Sequence, residues 1–275
     1  FTAVCAPGKV SVVITSSIKT SGYVLSWPKV KNADGYTVFK FDAKSGKFVK
    51  LAATAKTSYT VSSLAAGTEN IYAVRAYVVQ GGKTYFGALS DETVASTLPP
   101  QVKRISQKKT SVSGYTLSWE RVKGADGYVV YRYDSTKKRY VWLKSTSANS
   151  MEISGLKAGQ SAKYKVCAFI KLSNELHFAE YSPVFEAVTT PPAVKNVKAK
   201  RSGSYCTLTW SKAKNANGYR VFKLNKKTGK YVRLKTVENN RTKIKAAKGT
   251  VFVVRAYTKR ANTYYGAFSS PVTVK

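Results

Sequence analysis

The side chains that could carry acid–base or nucleophilic chemistry are few in this chain of 275 residues. It contains thirteen aspartates and glutamates, three cysteines and a single histidine, His177. A serine or cysteine nucleophile needs a base within hydrogen-bond reach, so a catalytic triad would have to include His177. That residue lies in the strand-like segment Leu176-His177-Phe178, and we predict that it is a structural residue of a partly exposed hairpin.

The acidic residues lack the arrangement of a catalytic or metal-binding site. Asp34 and Asp126 each come directly before a Gly-Tyr pair, and Asn217 takes the same position before a third such pair. Asp and Asn both form turns, whereas a catalytic acid would not survive the change to Asn. The sequence has no glycine-rich phosphate loop, no HExxH motif and no calcium-type series of aspartates. We therefore predict a protein that is not an enzyme and that holds no cofactor or metal.

The Gly-Tyr pairs belong to a pattern that the chain repeats three times. A Trp is followed eight residues later by Gly-Tyr, and the three Trp residues are Trp27, Trp119 and Trp210. The spacings between them, 92 and 91 residues, match one small independent domain and far exceed a solenoid repeat. The sequence thus predicts three tandem domains.

The segments within each repeat are typical of β-strands. Short runs rich in β-branched and aromatic residues alternate with turn-forming clusters, at the spacing expected of a β-sandwich. In the first repeat the predicted strands are Tyr23–Trp27, Tyr36–Phe39, Tyr59–Val61 and Tyr72–Tyr77. No helical periodicity is present. The predicted fold class is all-β, with three tandem immunoglobulin-like β-sandwiches in an extended array.

The order of these landmarks resembles the fibronectin type III domain. That family has a Trp on the second strand, a Gly-Tyr-x-Val third strand, a corner Leu before a Tyr-x-Val strand, and a closing Gly-x-x-Ser. In the first repeat the matching residues are Trp27, Tyr36-Thr37-Val38, Leu64, Tyr72-Ala73-Val74 and Gly87-Ala88-Leu89-Ser90. The second repeat carries the series with Leu156 at the corner and Ala179-Glu180-Tyr181-Ser182 in place of the closing Gly-x-x-Ser, whereas the third lacks the corner Leu.

The resemblance implies fibronectin type III-like domains over residues 1–98, 99–190 and 191–275. Lys- and Tyr-rich repeats of this kind are similar to those between functional modules in surface and secreted proteins of Gram-positive bacteria. The resemblance therefore implies an extracellular, secreted or cell-surface location within a larger protein. Paired prolines, Pro99-Pro100 and Pro191-Pro192, restrict φ at the two boundaries and predict short, stiff connections.

Each cysteine lies in a different repeat, which excludes a disulfide within one domain. Cys5 lies at the start of the first repeat, Cys167 in the sixth strand of the second and Cys206 in the second strand of the third. Strand alternation predicts that Cys167 points away from the core, at the position that Arg75 and Arg255 hold in the other repeats.

Positive charge is the second strong feature, and its distribution is uneven. The net charge is +34, with 11 basic against 5 acidic residues in 1–99, 15 against 7 in 100–190 and 21 against 1 in 191–275. The third domain is thus a polycation, and its candidate contacts with anionic polymers are Lys226, Lys227, Lys243 and Lys245. Exposed lysines also keep a β-sandwich soluble and block edge pairing, so both interpretations stay open. Lys predominates over Arg and no recognition motif is present, which argues against sequence-specific nucleic-acid binding.

A second set of candidates comes from side chains that alternation places outside the core. The outward row of aromatic residues and arginines contains Phe39, Phe41, Arg75 and Tyr77 in the first domain, Tyr131, Tyr133 and Phe169 in the second, and Phe222, Arg255 and Tyr257 in the third. Such a row could stack sugar rings, or its members could cover one another beneath the last hairpin. Trp142 is separate because its equivalents are Lys50 and Arg233, and we expect it to be an exposed, isolated Trp suited to sugar stacking.

Two classes of function stay open. The leading prediction is a non-catalytic spacer and adhesion module of a bacterial surface or secreted multidomain protein, whose basic surface attaches to anionic wall polymer or to host matrix. The alternative is a carbohydrate-binding module for an insoluble polysaccharide or mucin glycan. In either case we expect a monomer, and no apolar run is long enough for a transmembrane segment.

Overall fold

The computed structural model describes residues 5–172 and 174–275, and every regular element within them is a β-strand. The predicted all-β class is confirmed. The strands fall into three groups of eight, and each group forms its own pair of sheets around its own core.

Each group of strands covers one of the three sequence repeats. The first group contains β1 (Ile14–Lys19), β2 (Gly22–Ser26), β3 (Gly35–Asp42), β4 (Lys47–Thr54), β5 (Ser58–Val61), β6 (Glu69–Gln80), β7 (Lys83–Phe86) and β8 (Thr93–Ser96). The second contains β9 (Ile105–Lys108), β10 (Tyr115–Trp119), β11 (Gly127–Asp134), β12 (Arg139–Thr146), β13 (Ser150–Ile153), β14 (Ser161–Leu172), β15 (Glu175–Phe178) and β16 (Phe185–Val188). The third contains β17 (Lys198–Ser202), β18 (Tyr205–Thr209), β19 (Gly218–Leu224), β20 (Tyr231–Val237), β21 (Arg241–Lys245), β22 (Val251–Lys259), β23 (Thr263–Tyr265) and β24 (Val272–Thr273).

The three domains share one topology, and their strand pairs are antiparallel. In the first domain a small sheet has the order β1-β2-β5, and a larger sheet has the order β4-β3-β6-β7 with β8 paired to β6. The second domain repeats this arrangement with β9 to β16, and the third with β17 to β24. Each domain is a fibronectin type III-like β-sandwich.

The core of each domain lies between its two sheets. In the first domain Tyr23 of β2 meets Tyr72 of β6, and their buried hydroxyls are 2.9 Å apart. The second domain repeats this pair with Tyr115 and Tyr164, whose hydroxyls are 3.0 Å apart. In the third domain the equivalent residues are Cys206 and Phe252, both buried. Both hydroxyls are replaced together, so neither is left buried without a hydrogen-bond partner.

The third domain closes its corner without the Leu of the other two. Leu64 and Leu156 pack against their cores, and their backbone N–H groups donate to Ser21 and Ser113. In the third domain Ala246 takes this place, since it is buried in the core and its N–H donates to the equivalent Ser204. The shorter segment therefore makes the same corner with a smaller side chain.

Two contacts explain the Gly-Tyr pair of each repeat. The Tyr36 hydroxyl accepts a hydrogen bond from the N–H of Val30 over 2.8 Å, which ties the loop after β2 to β3. A Cβ at Gly35 would lie 2.6 Å from Cζ of the Tyr77 ring on β6, so only glycine leaves room for that ring. The second and third domains repeat both contacts.

Adjacent domains contact each other through the same pair of turns at both junctions. Gly67, with a φ of 65°, lies against the backbone of Gly124 in the turn before β11 of the second domain. Gly159, with a φ of 67°, occupies the equivalent turn of the second domain and lies against Asn215, which is the equivalent of Gly124 in the third. The two junctions between domains are therefore formed by equivalent turns.

The glycines of these turns give a direct test of the junction. The change Gly67→Ala should displace the second domain, because a Cβ there would collide with the backbone of Lys123. The control is Gly249→Ala, at the equivalent turn of the third domain, where only Lys226 Nζ, at 3.9 Å, lies near the Cβ position. Both changes carry the cost of a left-handed alanine, about 1–2 kcal/mol. Small-angle scattering should show altered interdomain distances for Gly67→Ala alone, and unchanged distances would contradict the junction.

Candidate functional site

The outward face of the larger sheet holds a clamped guanidinium in the first domain. Arg75 Cζ lies 4.0 Å from the ring centroid of Phe86 and 5.0 Å from that of Phe39. The Nε atom of Arg75 is buried and has no hydrogen-bond partner among the described residues. The ring faces therefore supply the attraction that holds this cation. Phe39 and Arg75 pack against the last hairpin, as one of the two sequence interpretations allowed.

The third domain repeats this clamp with more rings. Arg255 Cζ lies 4.3 Å from the ring centroid of Tyr265, 5.0 Å from Phe268 and 5.5 Å from Phe222. Burial lowers the pKa of the Arg255 guanidinium, the neighbouring Tyr265 raises it, and the like charge of Arg220 lowers it further. Phe222 is itself buried, so Phe222 and Arg255 form a packed layer and not an open binding face.

Three other members of the outward row fill the space above the glycines of the Gly-Tyr pairs. The ring of Tyr77 lies on Gly35, and in the same way Phe169 lies on Gly127. Tyr257 covers the equivalent glycine of the third domain and packs 6.3 Å from Tyr265, measured between ring centroids. These rings have a packing role in every domain.

The second domain carries a continuous series of rings on the same face, which we call the ring chain. Its members and successive centroid distances are Tyr181 to Tyr131 at 5.0 Å, Tyr131 to Trp142 at 5.8 Å, Trp142 to Phe178 at 6.0 Å and Phe178 to Phe169 at 6.1 Å. Trp142 is 48% exposed and Tyr181 46% exposed. The expectation of an exposed Trp142 is confirmed, but the expectation that it is isolated is wrong, because rings contact it on two sides.

Sequence reasoning missed Phe178 and Tyr181 as members of this face. Phe178 ends β15, and Tyr181 lies in the closing loop before β16, so strand alternation did not point to either. The signal that could have found them is the coincidence of two changes between copies. Trp142 replaces Lys50 and Arg233, and Cys167 replaces Arg75 and Arg255. The face thus loses cations at two positions, while Lys165 Nζ lies 5.4 Å from the ring centroid of Tyr181.

Cys167 lies outside the sandwich core, as strand alternation predicted, yet it is only 1% exposed. Its Sγ is 2.8 Å from the carbonyl oxygen of Ala179. Burial raises the pKa of the Cys167 thiol to about 11. The thiol therefore replaces a clamped guanidinium with a small neutral group. All three cysteines are free, with Cys5 exposed and Cys206 buried.

Phe41 and Tyr133 form separate pairs with the next strand. Phe41 packs 5.5 Å from Phe48, and Tyr133 packs 5.3 Å from Tyr140, measured between ring centroids. Tyr140 also contacts Lys165, whose Nζ lies 4.8 Å from its centroid. The structure places these rings against neighbouring strands and outside the ring chain.

The candidate lysines lie on two different parts of the third domain. Lys226 and Lys227 belong to the turn between β19 and β20, and Lys243 and Lys245 to β21 of the small sheet. All four are exposed, and Lys243 Nζ lies 4.8 Å from the ring centroid of Tyr205. They do not converge on one point, so together they make a dispersed basic surface.

The residue before each Gly-Tyr pair, an Asp or an Asn, has the same structural role in each copy. The Asp34 carboxylate accepts a hydrogen bond from the Val79 N–H over 2.7 Å, and the side-chain oxygen of Asn217 accepts one from the Lys259 N–H over 2.8 Å. His177 pairs with Ile170 in the last hairpin. In the parts of the chain that are described, no group of His, Cys, Asp or Glu could hold a metal ion. No helix there is long and apolar enough to cross a bilayer.

Comparison with solved structures shows structural likenesses to this chain. No protein-family model matches the chain. The chain is similar to the solved FN1–FN3 domains of chicken CNTN1, with 17% sequence identity, a TM-score of 0.38, and coverage of 98% of this chain and 99% of that one.

The burial of the thiols predicts their reactivity. A thiol reagent at pH 8 should modify Cys5 and leave Cys167 and Cys206 unmodified in the folded protein. The thiolate is the nucleophile, burial raises both pKa values, and with a pKa of about 11 only about one Cys167 thiol in a thousand is ionised at that pH. Peptide mass spectrometry before and after denaturation measures this, and fast native labelling of Cys167 would contradict the packing described.

Proposed function

We propose that this chain is a non-catalytic spacer and adhesion array within an extracellular surface or secreted protein of a Gram-positive bacterium. The third domain attaches the array to anionic wall polymer or matrix by ionic contact. The observation that carries the proposal is the concentration of charge in residues 191–275, where 21 Lys and Arg are opposed by one acid, Glu238.

The ion pairs support a role of this positive charge in binding an external partner. Two salt bridges are present among the described residues, Lys9 with Asp91 and Arg260 with Glu186. The second uses an acid of the neighbouring domain, because the third domain has almost no acids of its own. Most of its cations therefore have no internal counter-charge, and they remain available to an external polyanion.

The spacer part of the proposal is supported by the construction of the array. Each domain has its own core, paired prolines restrict the connections, and both junctions use the same turns. Two side chains of types that often carry catalysis make structural contacts, since Asp34 and Cys167 bond to backbone groups, and the single histidine lies in the last hairpin of its domain.

Ionic attachment predicts a steep dependence on salt. The chain should be retained on purified Gram-positive cell wall at low ionic strength and released at about 0.5 M salt, where the Debye length falls to about 4 Å. A sedimentation assay measures the retained fraction. Retention that survives the salt would rule out an ionic mechanism.

Matched variants assign the attachment to a domain. Replacing Lys227, Lys243 and Lys245 by Gln should weaken retention clearly more than replacing three exposed lysines of the first domain, which are Lys44, Lys47 and Lys56. Both variants remove three charges. Equal effects would show that the third domain has no special part.

A second candidate function, recognition of a neutral insoluble polysaccharide or mucin glycan, is favoured by the ring chain of the second domain. Trp142 is 48% exposed and Phe178 38% exposed, and Trp142 and Cys167 stand where the other domains carry cations. Exposed aromatic faces suit stacking on sugar rings.

The change Trp142→Lys tests this second function, because Lys50 holds the equivalent position in the first domain. If the ring chain binds sugar, retention on starch, cellulose or mucin at 0.5 M salt should fall about tenfold, as loss of a stacked ring costs about 1–2 kcal/mol. The control Leu176→Lys adds the same charge at an exposed hairpin position. Equal retention of all three proteins would refute a role for Trp142.

A further inference from the structure

A groove at one end of the larger sheet of the third domain gathers three lysines, Lys223, Lys226 and Lys248. Its volume is about 500 Å³, and its walls come from β19, β20 and the turn before β22. Val232 and Leu234 line it with apolar surface and are 50% and 45% exposed. No acidic side chain lines the groove. Three cations thus face an open apolar wall.

The equivalent positions of the other two domains do not carry this charge. Strand register and turn position align them as Lys40, Asp42, Ala43, Ala66 and Ile71 in the first domain, Arg132, Asp134, Ser135, Ala158 and Lys163 in the second, and Lys223, Asn225, Lys226, Lys248 and Val251 in the third. The first set has one cation and one anion, the second two cations and one anion, and the third three cations and no anion. The net charge of these positions therefore rises from zero in the first domain and +1 in the second to +3 in the third.

The loss of the carboxylate does not alter the turn that it supports. In the first domain the Asp42 side chain accepts a hydrogen bond from the Lys44 N–H over 3.2 Å. In the third domain the Asn225 side-chain oxygen accepts the equivalent bond from the Lys227 N–H over 3.0 Å. An amide keeps the turn and removes the negative charge, so the change acts on the electrostatics of the groove.

The two added lysines lie beside the turn that makes the interdomain contacts elsewhere. Gly67 and Gly159 follow alanines, Ala66 and Ala158, and face the next domain. In the third domain the glycine is Gly249, its preceding residue is Lys248, and Lys226 Nζ approaches its Cβ position to 3.9 Å. This turn therefore carries Lys248 and has the Lys226 ammonium beside it, and both cations attract an anion.

We propose that the groove binds a phosphate-bearing segment of an anionic polymer. The lysines of the groove contact the phosphate oxygens, and the carbon chain of the polymer lies along Val232 and Leu234. The ammonium of Lys binds phosphate oxygens as a point charge and needs no planar, bidentate partner. The groove has three Lys and no Arg. This inference rests on the proposed function and identifies the main contact between the third domain and the polymer.

The test uses the full chain and a soluble glycerol phosphodiester oligomer as the probe. Replacing Lys223, Lys226 and Lys248 by Gln should weaken binding in calorimetry by about tenfold or more, because three exposed ion pairs are lost. The matched control replaces Lys195, Lys198 and Lys200, which are exposed near the N-terminal end of the same domain. This control should change the affinity less than about threefold. The probe should also shift the methyl resonances of Val232 and Leu234 in the unmodified protein.

The outcomes separate this inference from the function on which it rests. If wall retention persists and both triple variants lose the same affinity, the groove is refuted while ionic attachment stands. If a glutamate oligomer of equal charge binds as tightly as the phosphodiester, the phosphate assignment is wrong. If the unmodified chain binds neither wall nor oligomer at low salt, both proposals fail.

Discussion

The packing of one Trp against the Tyr of the Gly-Tyr pair holds the two sheets together in every domain. The ring centroids are 5.4 Å apart in Trp27 and Tyr36, and 5.3 Å apart in the equivalent pairs of the other domains. The Trp follows or ends the second strand and the Tyr is the second residue of the third, so the contact joins the small sheet to the larger one. Both rings are buried, and edge-to-face packing of this kind adds stability beyond the area that it buries.

This conserved centre allows the outer faces of the three copies to diverge. Where a change touches a buried group, a second change compensates for it, as with the tyrosine pair that becomes Cys206 and Phe252. The face above the larger sheet follows the same rule. A clamped arginine in the first and third domains becomes Cys167 in the second, and a nearby cation becomes Trp142. One scaffold thus carries an extended aromatic face in one domain and a strongly basic surface in another.

Much of the fold could be predicted from the sequence, because the repeat of Trp and Gly-Tyr reports buried contacts that recur in three copies. The predicted strand over residues 72–77 lies within β6, and the outward position of Cys167 follows from alternation alone. Burial of that thiol could not be predicted, since its Sγ is covered by the carbonyl group of Ala179, which follows the last hairpin. The pairing of Trp142 with Phe178 has the same origin. Lys248 joins Lys223 only through folding, as 25 positions separate them along the chain.

The central claim is that the third domain attaches an otherwise passive array to a polyanion by charge. The most direct test is to titrate the full chain with a soluble anionic wall polymer and follow the backbone amide resonances of all three domains at low and at high salt. The account predicts shifts concentrated in residues 191–275 that vanish as the salt rises. Shifts spread evenly over the three domains, or shifts of the Trp142 indole that persist at high salt, would contradict it.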